Sequence, residues 1–388
     1  MATATGGLDA AVKDRLLRSR IAVSVIFFLF GSGYGIWGVH IPLVRARLGI
    51  DTGLLGLVLL NIGIGSVIAQ PAMGWAIGRI GSRLPATLCV VALAAVLPLP
   101  ILAPDVPLFF VGAFLFGVAG GLLNVSINTQ ASEVETLRGA PTMSSFHGFF
   151  SLGALAGSAS GGLLVGAGWG DGSAALAWAA MAAVVGLLAA TGLLRGGAVK
   201  PAGPERAFAL PGRAVLALAF VAFLCNMIEG AMIDWSALFL SVEKSATASA
   251  AADGLALFAG AMAAGRLAGA PFVRRLGERT IVTLGCLLIA AGIGIAIIAP
   301  TVELSAVGFA LVGIGAANNV PVLIGAAGRT PGMQPGVAVA AVSTAGMVGF
   351  LISPPAIGLA ANTFGLSFGL GLLAVVGLAA AAASALRR

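Results

Sequence analysis

Apolar stretches of about twenty residues recur along the chain with short polar breaks between them. They cover residues 20–43, 53–77, 84–103, 106–130, 143–167, 174–195, 213–240, 252–272, 280–300, 303–325, 336–360 and 365–386. About twenty apolar residues in a helix are needed to cross the hydrocarbon core of a bilayer, so the pattern predicts twelve transmembrane helices. The longest polar break, rich in Gly, Pro and charge, runs from Arg195 to Arg213 and divides the spans six and six. The expected organisation is a tail at 1–19, a six-helix bundle at 20–195, a solvated linker at 196–212 and a second six-helix bundle at 213–388.

The two halves repeat each other. Arg79-Ile80-Gly81-Ser82-Arg83 and Arg275-Leu276-Gly277-Glu278-Arg279 lie 196 positions apart in a chain of 388, each just after an apolar span. The same offset matches Val111-Gly112, Leu115 and Gly117 with Val307-Gly308, Leu311 and Gly313, and it matches Gly153 and Gly162 with Gly349 and Gly358. An even number of spans per half leaves equivalent helices the same way up, so the repeat is parallel, with its axis along the membrane normal and a cavity between the halves. The predicted class is therefore an all-α polytopic membrane protein, and a duplicated bundle of this kind is most economically a transporter.

Composition supports that class. Hydrophobic residues make up 59% of the chain and charged residues only 9%, which a soluble core does not explain. The 57 glycines suit close helix packing in lipid. A net charge of +7 invites a nucleic-acid reading, but the placement of the charge argues against it. Basic residues crowd the amino-terminal segment (Lys13, Arg15, Arg18, Arg20), the two signatures, Arg138, the linker (Arg195, Lys200, Arg206, Arg213) and Arg329, whereas the alternate loops hold Arg45, Arg47 and Lys244. The positive-inside rule then puts both termini in the cytoplasm. The first apolar run is too long for a signal-peptide core and is read as a retained span. Cys89, Cys225 and Cys286 lie inside apolar segments without metal-ligand spacing, so neither metal nor disulfide is expected, and no cofactor.

Gly74-Trp75-Ala76-Ile77-Gly78-Arg79-Ile80-Gly81-Ser82-Arg83 resembles the loop signature of the major facilitator superfamily between its second and third spans, with Gly78 where the usual Asp stands. With the second copy and the twelve-span count, the resemblance covers essentially the whole chain and implies the major facilitator fold. Residues 124–153 and 229–235 also look like the fucose-permease-like branch, which contains proton-coupled sugar symporters. In that branch a carboxylate around the fourth span contributes to coupling, and the nearest match here is Glu133. The resemblance further implies a monomer in a bacterial inner membrane.

Ionisable groups at bilayer depth are costly and functional by default. Glu229, near the middle of the seventh span, is the first candidate for proton coupling, Asp234 the second; either acid alternatively caps a polar network or pairs with a buried base. His147 titrates near physiological pH in its free state and joins the coupling candidates. Arg266, inside the eighth span, is either an anion clamp or a structural partner at an inner gate with Arg79, Arg83, Arg275 and Arg279. Solute contacts are expected from Asn61, Asn124, Asn128, Ser151, Asn226, Asn318 and Asn319, which supply neutral donors and acceptors. Tyr34, Trp37 and His40, three apart on the first span, and Trp235 on the seventh add aromatic walls, with interfacial anchoring the competing reading for both tryptophans. Pro354-Pro355 marks a flexing point or a static kink in the eleventh span.

Together these features predict a secondary active transporter that moves a small polar, sugar-like solute by alternating access, coupled to protons in symport. The alternative is a proton-driven exporter of drugs or amphiphilic metabolites. The expected partners are the small-molecule solute, protons and the lipid bilayer, with no nucleic acid.

Overall fold

A computed structural model of the chain describes residues 10–139, 142–170, 172–195, 212–331 and 335–386. The linker expected at 196–212, apart from Gly212, and the first nine residues of the tail lie outside the described residues. In chain order the helices are α1 (Ala10–Leu48), α2 (Thr52–Ile80), α3 (Arg83–Val96), α4 (Pro98–Leu102), α5 (Val106–Arg138), α6 (Met143–Gly166) and α7 (Ser173–Ala190) in the first half. The second half holds α8 (Arg213–Glu243), α9 (Ala248–Leu276), α10 (Glu278–Ile298), α11 (Val302–Ala316), α12 (Asn319–Gly328), α13 (Pro335–Phe364) and α14 (Leu366–Leu386). Counting α3 with α4 and α11 with α12, the described residues form 12 helices long and apolar enough to cross a membrane.

Two spans are broken where proline removes the donor that a preceding carbonyl needs. Pro98 and Pro100 divide the third span at Leu97, and Pro321 leaves the Ala317 carbonyl without its helical partner, so the tenth span breaks between Ala316 and Asn319. Several helices outrun their apolar runs. The first begins at Ala10 rather than residue 20, and the fourth span continues to Arg138 rather than residue 130.

The repeat is visible atom by atom at the offset of 196. Asp51 accepts from the Leu54 N–H (2.7 Å) and Thr247 from the Ala250 N–H (3.3 Å), each capping the second helix of its half. Asp105 and Thr301 do the same for the Leu108 and Leu304 N–H groups. The turn before each cap carries a positive φ, 61° at Gly49 and 52° at Ser245. Arg47 donates to the Ile101 and Ala103 carbonyls at the end of the third span, and Lys244, one position beyond the 196 offset, donates to their counterparts Ile297 and Ala299. Gly117 and Gly313 each bring their helix hard against its neighbour: a Cβ there would lie 1.9 Å from the Ile62 carbonyl oxygen and 2.3 Å from that of Phe258, positions again 196 apart.

Within each half α1 packs on α6 and α2 on α5, as α8 packs on α13 and α9 on α11. Between halves α6 lies on α9, α13 on α2 and α1 on α8. The end carrying the two arginine signatures is here called the basic end, its opposite the far end. At the far end α2 and α13 interlock: a methyl group at Gly56 would stand 2.8 Å from the Pro354 carbonyl oxygen, and one at Gly358 would stand 2.6 Å from that of Thr52. Toward the basic end the same flank of α2 reaches Gly74 and Gly78, where an added Cβ meets nothing within 4 Å. The two helices thus part in the direction of the arginine signatures. Pro354-Pro355 does not interrupt α13, which remains one helix.

Candidate solute site

Where α1, α6, α8 and α9 meet, Tyr34, Gly35, Phe150, Ser151, Ala154, Glu229, Ile233, Leu255, Phe258, Ala259 and Met262 enclose a cavity of about 20 Å³. That is room for a single water and not for a solute, so in this state the four helices are closed on one another. The polar edge of the cavity is made by Tyr34, Ser151 and Glu229. The rest is aromatic and aliphatic. Tyr34 is held by surrounding rings, with Phe30, Phe116 and Phe150 centred 5.5, 5.2 and 6.2 Å away.

Arg266 organises the polar edge. Its Nη2 donates to Glu229 Oε1 at 3.0 Å, an ion pair whose side chains are 11% and 16% exposed. Its Nη1 donates to Ser151 Oγ at 2.8 Å and its Nε to the Ala317 carbonyl at 3.3 Å. The last acceptor exists because Pro321 breaks the tenth span. Asn318, in the same break, donates its Nδ2 to the Gly265 carbonyl at 3.0 Å, so α9 is stitched to the interrupted helix at two consecutive residues. Among hydrogen bonds between described residues, Arg266 to Ser151 is the one that joins the two halves. Placed among the inner-gate arginines by sequence, Arg266 instead stands beside the cavity, because Glu229, one of the cavity's own walls, pairs with it.

The other candidates are placed as follows. Ser151 lines the cavity, and its carbonyl neighbour one turn back, His147, packs its ring 5.3 Å from that of Phe27. Asp234, one and a half turns beyond Glu229, has no hydrogen-bond or ion-pair partner among the described residues. Asn124 and Asn128 bond to each other along α5, Nδ2 of Asn128 to Oδ1 of Asn124 at 3.0 Å, and stay half-buried outside the cavity wall. Asn226 bonds to its own helix at Ala222. Asn319 turns away to Cys286, and the Cys286 sulfur lies 3.8 Å from that of Cys225.

Several expectations are corrected by position. Asn61 donates to the Phe110 carbonyl and pins α2 to α5 rather than facing a solute. Trp37 is 1% exposed among Phe109 and Phe116, and Trp235 is fully buried, so neither lines the cavity and neither sits in an interfacial belt. His40 is fully buried and donates Nδ1 to the Ile36 carbonyl of its own helix, leaving Nε2 without a partner. Glu133 is at the basic end, far from the cavity, accepting from Ser82 Oγ at 2.8 Å and from Gln130. Its position recurs 196 residues on as Arg329, paired with Glu278 in place of Ser82. In both halves this pair ties the signature loop to the fourth span of its bundle, which gives Glu133 a fastening role.

The remaining arginines of the signatures are also at the basic end. Arg79 lies 4.0 Å over the Trp75 ring, Arg83 donates to the Thr191 carbonyl, and Arg275 and Arg279 are exposed. The residues missed by sequence reasoning include Phe150, Ile233, Leu255, Phe258 and Met262, apolar walls indistinguishable from core in the pattern, and the Ala317 carbonyl. Pro321 was the available signal for the last.

A twelve-span helical protein with a parallel six-helix repeat and a polar cluster walled by both halves belongs to the class of two-bundle membrane transporters. Residues 23–302 match the model of the Major Facilitator Superfamily, and the chain belongs to that family. It is 36% identical over 368 residues to an uncharacterized MFS-type transporter of Yersinia pestis, covering 95% of each chain. It is 30% identical to the uncharacterized transporter y4wD of Sinorhizobium fredii, covering 90% of this chain and 92% of the relative. Against the membrane protein MosC of Rhizobium meliloti it is also 30% identical, over 94% of this chain and 88% of that one.

Solved structures agree on the fold. A variant of the nucleoside transporter NupG superposes with a TM-score of 0.76 at 15% identity, covering 95% of this chain and 98% of that one. A bacterial homolog of the human lysosomal transporter Spinster, inward-facing, gives 0.75 at 15% identity over 98% of both. By its family the chain is a multi-pass membrane transporter.

Proposed function

We propose that the protein couples proton movement to symport of a small polar, sugar-like solute, with both termini in the cytoplasm of a bacterium and the basic end facing inward. The observation that carries this reading is the triple engagement of Arg266, which holds Glu229 of its own half and Ser151 of the other. Protonating Glu229 removes the charge that retains Arg266, so a proton and the guanidinium that bridges the two halves compete for one carboxylate. Coupling needs only that solute and proton change each other's affinity, and a solute hydroxyl or anionic group contacting the freed guanidinium meets that condition. The resemblance of residues 124–153 and 229–235 to the fucose-permease-like branch, which contains proton-coupled sugar symporters, supports this reading.

The experiment is uptake into sealed vesicles, with the solute first found by a thermal-shift screen of sugars, sugar acids, amino acids and drugs at two pH values. Glu229→Gln is expected to abolish proton-driven accumulation while exchange of solute across the membrane persists. Undiminished uphill uptake by this variant removes Glu229 from the coupling role. One observation favours a second reading: Phe150, Ile233, Leu255, Phe258 and Met262 make most of the cavity wall apolar, as export of an amphiphilic compound requires. Drug sensitivity on deletion, without loss of growth on any nutrient, selects export.

A further inference from the structure

We propose that the groove between α3 and α7 at the basic end binds the headgroup of an anionic phospholipid from the adjoining leaflet. The groove has a volume of about 450 Å³ and is lined by Ile80, Arg83, Leu84, Thr87, Leu187, Ala190, Thr191 and Arg195. It lies on the flank of the first bundle away from the solute cavity, which is built from α1, α6, α8 and α9, since neither α3 nor α7 packs substantially on the second half. Its apolar walls are strongly exposed, Ile80 58%, Leu84 52% and Leu187 50%, which water disfavours and acyl chains satisfy.

The charge in the groove is of one sign. Arg83 is steadied across it by donating Nη2 to the Thr191 carbonyl at 3.3 Å, which leaves its other donors free. Among the described residues, Arg195 is exposed and has no hydrogen-bond or ion-pair partner, and no carboxylate lines the groove. Thr87 and Thr191 spend their hydroxyl protons on the Arg83 and Leu188 carbonyls, so donors to an anion come from the two arginines. Guanidinium forks match phosphate oxygens, and basic recesses between spans at a membrane surface suit anionic headgroups. A free phosphate offers the same oxygens but no acyl chains to cover the exposed wall.

The second half is built differently at the corresponding place. There Thr283 stands for Thr87 and bonds Ser384 at 3.2 Å, the counterpart of Leu188, closing α10 onto α14. Arg279 stands for Arg83, is exposed, and provides a control of equal charge at the same end.

The test is native mass spectrometry of the full chain in detergent, titrated with phosphatidylglycerol, phosphatidylethanolamine or inorganic phosphate. A one-to-one phosphatidylglycerol adduct is expected, preferred over phosphatidylethanolamine. It should weaken roughly tenfold or more in Arg83→Gln/Arg195→Gln, persist in Arg279→Gln, and return in Arg83→Lys/Arg195→Lys. Leu187→Glu, which leaves both arginines in place, is expected to weaken it as well and serves if the double variant does not fold. No preference between the lipids, an undiminished adduct in these variants, equal loss in Arg279→Gln, or displacement of the lipid by millimolar phosphate overturns the proposal.

Discussion

At the scale of single residues, Arg266 is held by a carboxylate, a hydroxyl and a carbonyl, supplied by α8, α6 and the break in the tenth span. Removing one member of a mostly buried ion pair leaves the other uncompensated, at a cost on the order of 3–5 kcal/mol, whereas removing both is often close to neutral. Arg266→Gln and Glu229→Gln are therefore each expected to melt well below the parent in detergent, and the double variant is expected to melt above either single. Melting temperatures that fall additively would deny that the two groups sense each other. Glu229, Arg266 and Ser151 were each legible in the sequence, since charge inside an apolar run is conspicuous. Their meeting was not, because the pair is 37 positions apart on different helices and nothing local sets which faces turn together. The same limit explains Trp37 and Trp235. A spacing of three along a helix says which residues share a face, and the core around Phe109 and Phe116 claimed that face instead.

At the scale of the helix, the interruption of the tenth span is the feature with most consequence for the site. Pro321→Ala restores the N–H that Ala317 lacks and lets α11 run into α12. The variant is expected to gain thermal stability, since proline inside a helix costs about 3 kcal/mol, and to lose transport, since Arg266 then competes with the helix ladder for that carbonyl. Unaltered uptake at higher stability would make the break incidental. The twelve spans were legible because bilayer thickness fixes the length of an apolar run. Their ends were misjudged because apolarity reports the membrane, not the helix: α1 and α5 stay helical well into polar sequence, to Ala10 and Arg138. The breaks at Leu97 and Ala317 follow from Pro98, Pro100 and Pro321, punctuation that a hydropathy window averages away.

At the scale of the whole molecule, two bundles of one design face each other across a closed cavity, interlocked at the far end and parted along α2 and α13 toward the basic end. Gly56 tests that closure, since any side chain there meets the Pro354 carbonyl oxygen. Gly56→Leu is expected to hold the far end open and so to favour the opposite state of the cycle. Paired spin labels measure this directly, one pair at exposed far-end positions, Ala46 and Thr363, and one at exposed basic-end positions, Thr136 and Thr280. If the halves rock about the Arg266 cluster, Gly56→Leu lengthens the far-end distance and shortens the basic-end distance together, relative to the parent. Distances that move in the same direction at both ends, or a far-end distance that does not lengthen, would contradict the account.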